Sequence, residues 1–216
     1  MRSINKLSLA TLGLGLAVAT TLSAQASGTN PPAGRGGRGG GGGRGRGRAA
    51  MVVMTLSSKD FQNGGAIPVA NSQAGAKEAS PELSWTGVPD STASFVLIEH
   101  DVSAPIGNGT DDMLHWMVWN IPGSARALAE GVPHGPNLAD GARQISASGP
   151  YYRGPAAPPT GPAHTYVFEL FALDTTLDIP AVGQQPPATR TAVVAAMAGH
   201  VRGKATLVGT FRRAAP

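Results

Sequence analysis

The sequence predicts a mainly β domain built from antiparallel strands, with little helix. Two observations support this fold class. Four segments are rich in β-branched, aliphatic and aromatic residues and are bounded by turn-forming residues. Strand and helix segments rarely alternate along the chain, which disfavours a doubly wound parallel sheet and favours antiparallel architecture.

The four strand candidates all lie after residue 92. They span residues 93–100, 115–121, 164–173 and 205–211. Turn signals such as Asn108-Gly109 and Pro122-Gly123 separate them. Residues 51–56 and 63–69 are weaker strand candidates.

One segment predicts a helix near the C-terminus. Residues 189–200 are rich in alanine, and Pro186 and Pro187 precede them. Residues 131–162 show no clear period and contain much Gly and Pro. A connection this long in a compact domain is usually functional or disordered.

Composition allows one ordinary domain and excludes thiol chemistry. The chain has 216 residues, 41% hydrophobic, and no cysteine, so its stability must come from its core. Its formal charge of +4 is carried by the N-terminal region, because ten Lys and Arg stand against 13 Asp and Glu from Ala49 onward. The mildly acidic remainder gives no reason to expect a polyanionic partner for the domain.

Residues 1–26 have the pattern of a secretory signal peptide. Arg2 and Lys6 precede an apolar run, and Ala24-Gln25-Ala26 is a small-x-small cleavage site. A retained anchor helix is the disfavoured alternative because the run is too short to span a bilayer comfortably. No later run of about 18 apolar residues follows. We therefore expect a periplasmic or secreted protein whose mature chain has no transmembrane span.

Residues 27–50 predict a disordered linker, and residues 51–216 the globular domain. The stretch 34–48 contains only Gly and Arg and cannot bury apolar surface. Such tracts also bind RNA. Behind a signal peptide we expect a flexible spacer and no nucleic-acid partner.

Polar side chains gather at the ends of the predicted strands. Asp101 directly follows the first strand, and His115 and His164 open the next two. Tyr166 is two residues after His164 and therefore lies on the same strand face. If these strands are neighbours, the four side chains converge and suit an anionic oxygen cluster such as phosphate or carboxylate.

Two alternatives remain open from the residues alone. The histidines could simply cap strands, or His100, Asp101, His115 and His164 could ligate a metal. The sequence has no G-x-S-x-G elbow, no phosphate-binding G-x-x-x-x-G-K-[ST] loop and no H-E-x-x-H motif.

At these residues the sequence resembles the phosphatidylethanolamine-binding proteins. Three segments look like the family's first signature, one looks like the second, and the C-terminal segments look like the ending of the bacterial Raf-kinase-inhibitor-like branch, the YbhB/YbcL type. In chain order they are Ser-Pro-Glu-Leu-Ser-Trp at 80–85, His-Asp-Val-Ser-Ala-Pro at 100–105, His-Trp-Met-Val-Trp-Asn-Ile-Pro at 115–122, Gly-Pro-Ala-His-Thr-Tyr-Val-Phe at 161–168, Gly-His-Val at 199–201 and Ala-Thr-Leu-Val-Gly-Thr at 205–210.

The resemblance implies an antiparallel β-sandwich with a few short helices and an anion pocket. It places five residues in that pocket: Asp101, Pro105, His115, His164 and Tyr166. Three departures put the ligand's identity in question. Ser103 replaces the second acid of the usual D-P-D-A-P, Met113 and Leu114 stand where an aromatic usually precedes the first histidine, and Thr165 replaces an arginine.

We therefore expect a non-enzymatic binding protein without cofactor, metal or catalytic residues. Its ligand would be a small phosphate- or carboxylate-bearing anion or a phospholipid headgroup. The second interpretation is an inhibitor or modulator of an envelope enzyme such as a peptidase, with a protein as its target. A hydrolase using Asp101 and a histidine as acid and base is the third. A homodimer is compatible with the sequence.

Overall fold

The computed structural model describes residues 50–181 and 186–216. The predicted signal peptide at 1–26 and all but the last residue of the predicted linker at 27–50 lie outside the described residues. Both assignments remain predictions. Among the residues that are described, no helix has the length and apolarity needed to cross a membrane.

The strands form two sheets. The seven-stranded sheet contains β1 (Val52–Val53), β3 (Gly65–Ala66), β5 (Ser94–Ile106), β6 (Asp111–Pro122), β8 (Arg143–Ile145), β9 (His164–Leu173) and β10 (Val201–Phe211). The three-stranded sheet contains β2 (Thr55–Ser57), β4 (Leu83–Thr86) and β7 (Ala127–Leu128). One α-helix, α1 (Pro186–Met197), and one 3₁₀ helix (Val69–Asn71) complete the described elements.

The larger sheet follows the order β1-β10-β9-β5-β6-β8, with β3 also pairing with β10. Its long strands pair antiparallel with one another in the order β10-β9-β5-β6, which confirms the predicted architecture. The short strands β1 and β3 instead pair with β10 in parallel. Their partner is at the other end of the domain sequence, so a long connection is available, as parallel pairing requires.

The main hydrophobic core lies between the two sheets. It joins Leu83 and Trp85 of the smaller sheet to Phe95, Trp116 and other buried residues of the larger one. Trp116 is fully buried, and its replacement by alanine would cost about 3–5 kcal/mol of folding free energy. The two-sheet arrangement confirms the β-sandwich that the resemblance implied.

A second core lies on the other face of the larger sheet. There Val193 and Met197 of α1 pack among buried residues such as Trp119, Met117 and Leu173. The domain is therefore layered, with the helix on the sheet face opposite the three-stranded sheet. The candidate site lies on the face that carries the first core.

Several boundaries differ from the predicted ones. β9 runs from His164 to Leu173 as predicted, whereas β5 and β6 extend beyond prediction into a hairpin that includes 102–111. The helix begins at Pro186, because prolines fit the first turn, where their missing N–H groups need no partner. It ends before Gly199, whose φ of 84° breaks the helix.

Other short elements were missed or overestimated. Strands β4, β7 and β8 were not predicted, because segments of two to four residues give too short a pattern. The weak strand predicted at 63–69 shrinks to Gly65–Ala66. Pro68, which cannot donate a ladder hydrogen bond, leads into the 3₁₀ helix instead.

Candidate functional site

The strand pairing brings the predicted polar residues to one place. β5 lies between β6 and β9, and Asp101 at the end of its buried part pairs with Met113 on β6 and Tyr166 on β9. His115 and His164 are each two residues from one of these partners, so they share its strand face. Strand order therefore explains why residues far apart in the chain converge.

The four side chains line one small cavity. Its volume is about 150 Å³. The described residues that line it are Asp101, Ala104, Met113, His115, Arg153, Ala156, Ala157, His164 and Tyr166. We call this cavity the anion pocket, after the ligand class predicted for it.

Asp101 holds His164 in a fixed orientation. The Asp101 Oδ2 atom lies 2.8 Å from His164 Nδ1, and the two side chains are 4% and 23% exposed respectively. A carboxylate can only accept, so His164 Nδ1 carries the hydrogen and donates. The other ring nitrogen, Nε2, is left for a ligand.

Ser103 stabilises the region around Asp101 and His164 through two hydrogen bonds. Its backbone N–H donates to Asp101 Oδ1 at 2.9 Å, and its Oγ accepts from the Thr165 N–H at 2.9 Å. The serine that replaces the second acid of the family's aspartate motif thus ties β5 to β9 beside His164. The serine therefore removes a negative charge near the pocket but keeps hydrogen bonds to Asp101 and Thr165.

His115 is held by the loop that follows β8. Its Nδ1 lies 2.7 Å from the Arg153 carbonyl oxygen, and its own carbonyl accepts from the Arg153 N–H at 3.1 Å. A carbonyl only accepts, so His115 Nδ1 donates and Nε2 is the second nitrogen. Burial lowers the pKa of His115, and the carbonyl contact offsets only part of this effect.

Tyr166 forms the buried wall between the two histidines. It is fully buried, and its ring lies edge-on to the His115 ring at 5.0 Å between centroids. Its hydroxyl accepts from the Ala156 N–H at 3.3 Å. Burial, and then the nearby charge of Asp101, raise the pKa of Tyr166, so the phenol keeps its proton and remains a hydrogen-bond donor.

The loop carrying Arg153 is anchored on both sides. The buried Tyr152 hydroxyl donates to the Asn71 carbonyl at 2.7 Å, and the Gly154 N–H donates to Glu78 Oε1 at 2.6 Å. A Cβ at Gly154 would lie 2.8 Å from the Asn71 carbonyl oxygen, so the close approach requires glycine. This anchoring fixes Arg153 at the pocket.

Arg153 is the main site residue that the sequence analysis missed. Its guanidinium adds a cation to the residues lining the pocket, and its charge contributes to the lowered pKa of His115. The available signal was a cationic residue in the Gly- and Pro-rich stretch before the second signature. That stretch also holds Arg143, which instead donates to the Ile179 carbonyl, so sequence alone could not choose between them.

Pro105 is not brought to the pocket. It is exposed and pairs with Asp112 in the extended hairpin, and the cavity is lined by Ala104 instead. The register shifts between Asp101 and Pro105 in this part of β5. Pro105 therefore lies outside the pocket in which the resemblance placed it.

His100 lies in a separate charge network. Its Nδ1 is 2.5 Å from Asp112 Oδ2, and its Nε2 is 3.5 Å from Glu169 Oε2. These acidic side chains raise the pKa of His100 against the opposing effect of burial, which is the largest single influence. The metal alternative grouped His100 with the other three residues, but His100 does not line the anion pocket. Within 50–181 and 186–216, three or more His, Asp or Glu side chains do not gather in an arrangement that could hold a metal ion.

Glu99 is a buried acid near the pocket, two residues before Asp101 on the same strand face. It is fully buried, and neither carboxyl oxygen has a hydrogen-bond partner among the described residues. Burial, and then the charge of Asp101, raise the pKa of Glu99 well above its ordinary value. Burial therefore favours the neutral carboxylic acid form of Glu99 beside Asp101.

Comparisons with known proteins agree with the resemblance read from the motifs. The family model described as phosphatidylethanolamine-binding protein matches residues 57–212. A UPF0098 protein of Methanothermobacter thermautotrophicus is 42% identical over 162 residues, covering 74% of this chain and 99% of the relative. The UPF0098 protein YbhB of Escherichia coli is 36% identical over 127 residues, covering 56% of this chain and 78% of the relative.

Structural comparison gives the same result. The crystal structure of CT736 from Chlamydia trachomatis matches with a TM-score of 0.62 and 33% identity, covering 74% of this chain and 98% of that one. The residues matched by the family model include the strands that carry the anion pocket. The chain therefore belongs to the phosphatidylethanolamine-binding protein family.

Proposed function

We propose that this protein is an exported, non-enzymatic binding protein whose pocket holds a small phosphate- or carboxylate-bearing ligand. The observation that carries the proposal is the convergence of His164, His115, Arg153 and the Tyr166 hydroxyl on one cavity. Guanidinium and phenol groups donate hydrogen bonds to anionic oxygens, as does an imidazole once it is protonated, and charge-assisted bonds of this kind are the stronger ones. A phospholipid headgroup and a free organic anion share this chemistry.

The protonation states of the two histidines favour a specific mode of binding. In each ring, Nδ1 donates to an acceptor of the protein, so only Nε2 remains for the ligand. Because burial lowers the pKa of His115, the neutral ring is favoured at neutral pH and its Nε2 is then an acceptor. An anion would bind either by bringing its own hydroxyl hydrogen, as a phosphate monoanion does, or by drawing a proton onto His115.

The composition of the cavity supports binding without turnover. The described residues that line it include no Ser, Thr or Cys, the usual side chains of a hydroxyl or thiolate nucleophile. The Asp101–His164 pair instead fixes the His164 ring and leaves its Nε2 atom for the ligand. We therefore infer that the pair orients an imidazole and does not activate a nucleophile.

Titration with inorganic phosphate and with acetate, followed by isothermal calorimetry and NMR of the histidine side chains, tests the proposal. We expect saturable binding of at least one anion, with resonances of His115 and His164 shifting together. In parallel, incubation with phosphomonoester and ester substrates should release no product. Absence of binding by both anions would refute the ligand class, and turnover that is lost in Asp101→Asn would make the protein a hydrolase.

Export is a separate part of the proposal and rests on the pattern of residues 1–26. Fractionation of the producing cells should place the protein in the periplasm or medium, with an N-terminus at Ser27. An intact Met1 in the mature protein would contradict export by signal cleavage. A stable complex with an envelope peptidase in the same fraction would favour the inhibitor role instead.

A further inference from the structure

The Gly/Arg tract at 34–48 joins the domain at an exposed apolar strand. Five arginines stand in this tract, and the first acidic residue of the chain is Asp60. Shortly after the tract come Met51, Val52 and Val53, which are 54%, 40% and 89% exposed. Single exposed apolar side chains are ordinary, but three in a row beside a cationic segment form an apolar surface that needs an explanation.

The pairing of β1 fixes the place at which the tract joins the domain. β1 pairs in parallel with residues 203–204 of β10, and the Met54 N–H donates to the Lys204 carbonyl at 2.9 Å. Within the described part of the chain, β1 is the outermost strand on its side of the larger sheet. Val53 is therefore held at a sheet edge by its backbone while its side chain remains almost fully exposed.

The charged side chains of β10 next to β1 are already paired. Lys204 Nζ lies 2.5 Å from Glu169 Oε1, and Arg202 contacts Asp174. These charges largely neutralise one another. The excess positive charge at this edge is therefore that of the tract itself.

An anionic phospholipid surface matches both parts of this region. Clustered arginines are attracted to anionic headgroups, and aliphatic side chains enter the apolar boundary below them. Nucleic acid would match only the arginines, because proteins that bind single strands add aromatic side chains on which bases stack. Residues 27–53 contain no aromatic residue, and the exposed aliphatic side chains of β1 would have no function on RNA.

We propose that residues 34–53, which we call the docking segment, bind the protein peripherally to anionic phospholipid surfaces. The arginines lie among the headgroups, and Met51 and Val53 enter the interface. Neither part is sufficient alone, since stable peripheral binding usually needs two such signals. The proposal goes beyond ligand binding in the anion pocket and does not depend on it.

The anion pocket lies at the other end of the larger sheet. Gly203 pairs with β1, whereas Gly209, six residues further along β10, pairs with Tyr166 of the pocket. Six residues of a strand span about 20 Å. A protein docked through β1 would therefore keep the pocket away from the bilayer and open to soluble ligands.

Co-sedimentation of the mature protein, beginning at Ser27, with phosphatidylglycerol vesicles tests the proposal. We expect binding to these vesicles and little to phosphatidylcholine vesicles. Each arginine near an anionic surface contributes roughly fivefold, so Arg46→Gln/Arg48→Gln should weaken binding at least tenfold. The matched control is Lys77→Gln/Arg212→Gln, which removes two exposed cations elsewhere on the domain and should change binding no more than about twofold.

The absence of cysteine allows the apolar part to be tested separately. Val53→Cys and Val102→Cys each provide a single site for an environment-sensitive fluorophore. Val102 is an exposed valine in the part of β5 beyond Asp101, so it serves as the control. Phosphatidylglycerol vesicles should shift the emission to the blue at position 53 and leave it unchanged at position 102.

Several results would overturn the proposal. Equal vesicle binding by the two double variants would remove the role of the tract, and equal shifts at positions 53 and 102 would remove the role of β1. Loss of vesicle binding in His164→Ala would show that the anion pocket captures headgroups instead. Binding to a single-stranded RNA oligonucleotide but not to vesicles would assign the tract to nucleic acid.

The same variants separate this inference from the proposed function. Arg46→Gln/Arg48→Gln should bind inorganic phosphate as the wild type does, and His164→Ala should bind vesicles as the wild type does. Vesicle binding without any phosphate binding would refute only the anion pocket. Phosphate binding without vesicle binding would refute only the docking segment.

Discussion

Asp101 Oδ2 lies 2.8 Å from His164 Nδ1, although the two residues are 63 positions apart in the chain. They meet because β5 and β9 are hydrogen-bonded neighbours whose register pairs Asp101 with Tyr166. The carboxylate is buried and the imidazole partly exposed, so the pair holds the His164 ring in a fixed orientation and leaves its Nε2 atom for a ligand. Anion binding at this pocket would depend on that orientation.

Asp101→Asn should weaken phosphate binding. The amide keeps the shape of the side chain but removes the charged acceptor that fixes the His164 ring, so we expect affinity to fall roughly tenfold. NMR titration with phosphate measures the change, and the exposed Asp90→Asn serves as the control. Tighter binding by Asp101→Asn would mean that the carboxylate mainly repels the anion.

Phosphate affinity should increase as the pH falls below 7. Burial lowers the pKa of His115 in the free protein, whereas a bound anion favours the protonated ring. Anion binding is therefore coupled to the uptake of a proton by His115, and affinity rises as the proton concentration rises. Calorimetry in buffers of different ionisation enthalpy would detect this proton uptake. In His115→Gln the pH dependence should be reduced, whereas in His134→Gln it should remain. A dependence unchanged by His115→Gln would assign the proton to another group.

The sequence predicted the site better than it predicted the elements around it. Asp101, His115, His164 and Tyr166 could be placed because each stands at or near the end of the buried part of a long strand, where a strong pattern fixes both the strand and its face. The resemblance added the expectation that these strands are neighbours. Long, strongly patterned strands were therefore the reliable part of the prediction.

Arg153 was missed by the sequence analysis, and Pro105 was expected in the pocket but lies outside it. Arg153 reaches the cavity through the packing of an irregular loop against 71–78, which has no periodic signal. Pro105 is displaced by a register shift in the hairpin, a feature set by pairing between strands and not by local sequence.

Glu99→Gln should make the protein more stable at neutral and alkaline pH. The folded-state pKa of Glu99 is raised, so its contribution to stability is complete below the unfolded value of about 4.3 and is lost as the pH rises toward the folded value. Between the two pKa values the wild type should lose about 1.4 kcal/mol for each pH unit relative to Glu99→Gln.

Denaturant unfolding from pH 4 to 9 would measure this difference. The exposed Glu130→Gln is the control and should show no such trend. A difference between Glu99→Gln and wild type that does not vary with pH would indicate that the buried carboxyl is ionised and solvated in the folded protein.

A chain beginning at Ala50 should fold as stably as the mature protein. The stretch 34–48 contains only Gly and Arg and has no apolar side chains with which to pack on the domain. We expect the two melting temperatures to agree within a few degrees, roughly the shift that 1 kcal/mol produces in a domain of this size. A much lower melting temperature for the shorter chain would move the domain boundary toward the N-terminus.

The most direct measurement is the affinity of His164→Ala for inorganic phosphate, compared with wild type and with His134→Ala. His134 is exposed and stacks on Tyr151 away from the anion pocket, so it controls for the loss of a histidine. Removal of a charge-assisted hydrogen bond of about 1.5–3 kcal/mol predicts a loss of roughly one to two orders of magnitude in His164→Ala and none in His134→Ala. Saturable phosphate binding that is equal in all three proteins would contradict the assignment of the anion site to the Asp101–His164 corner.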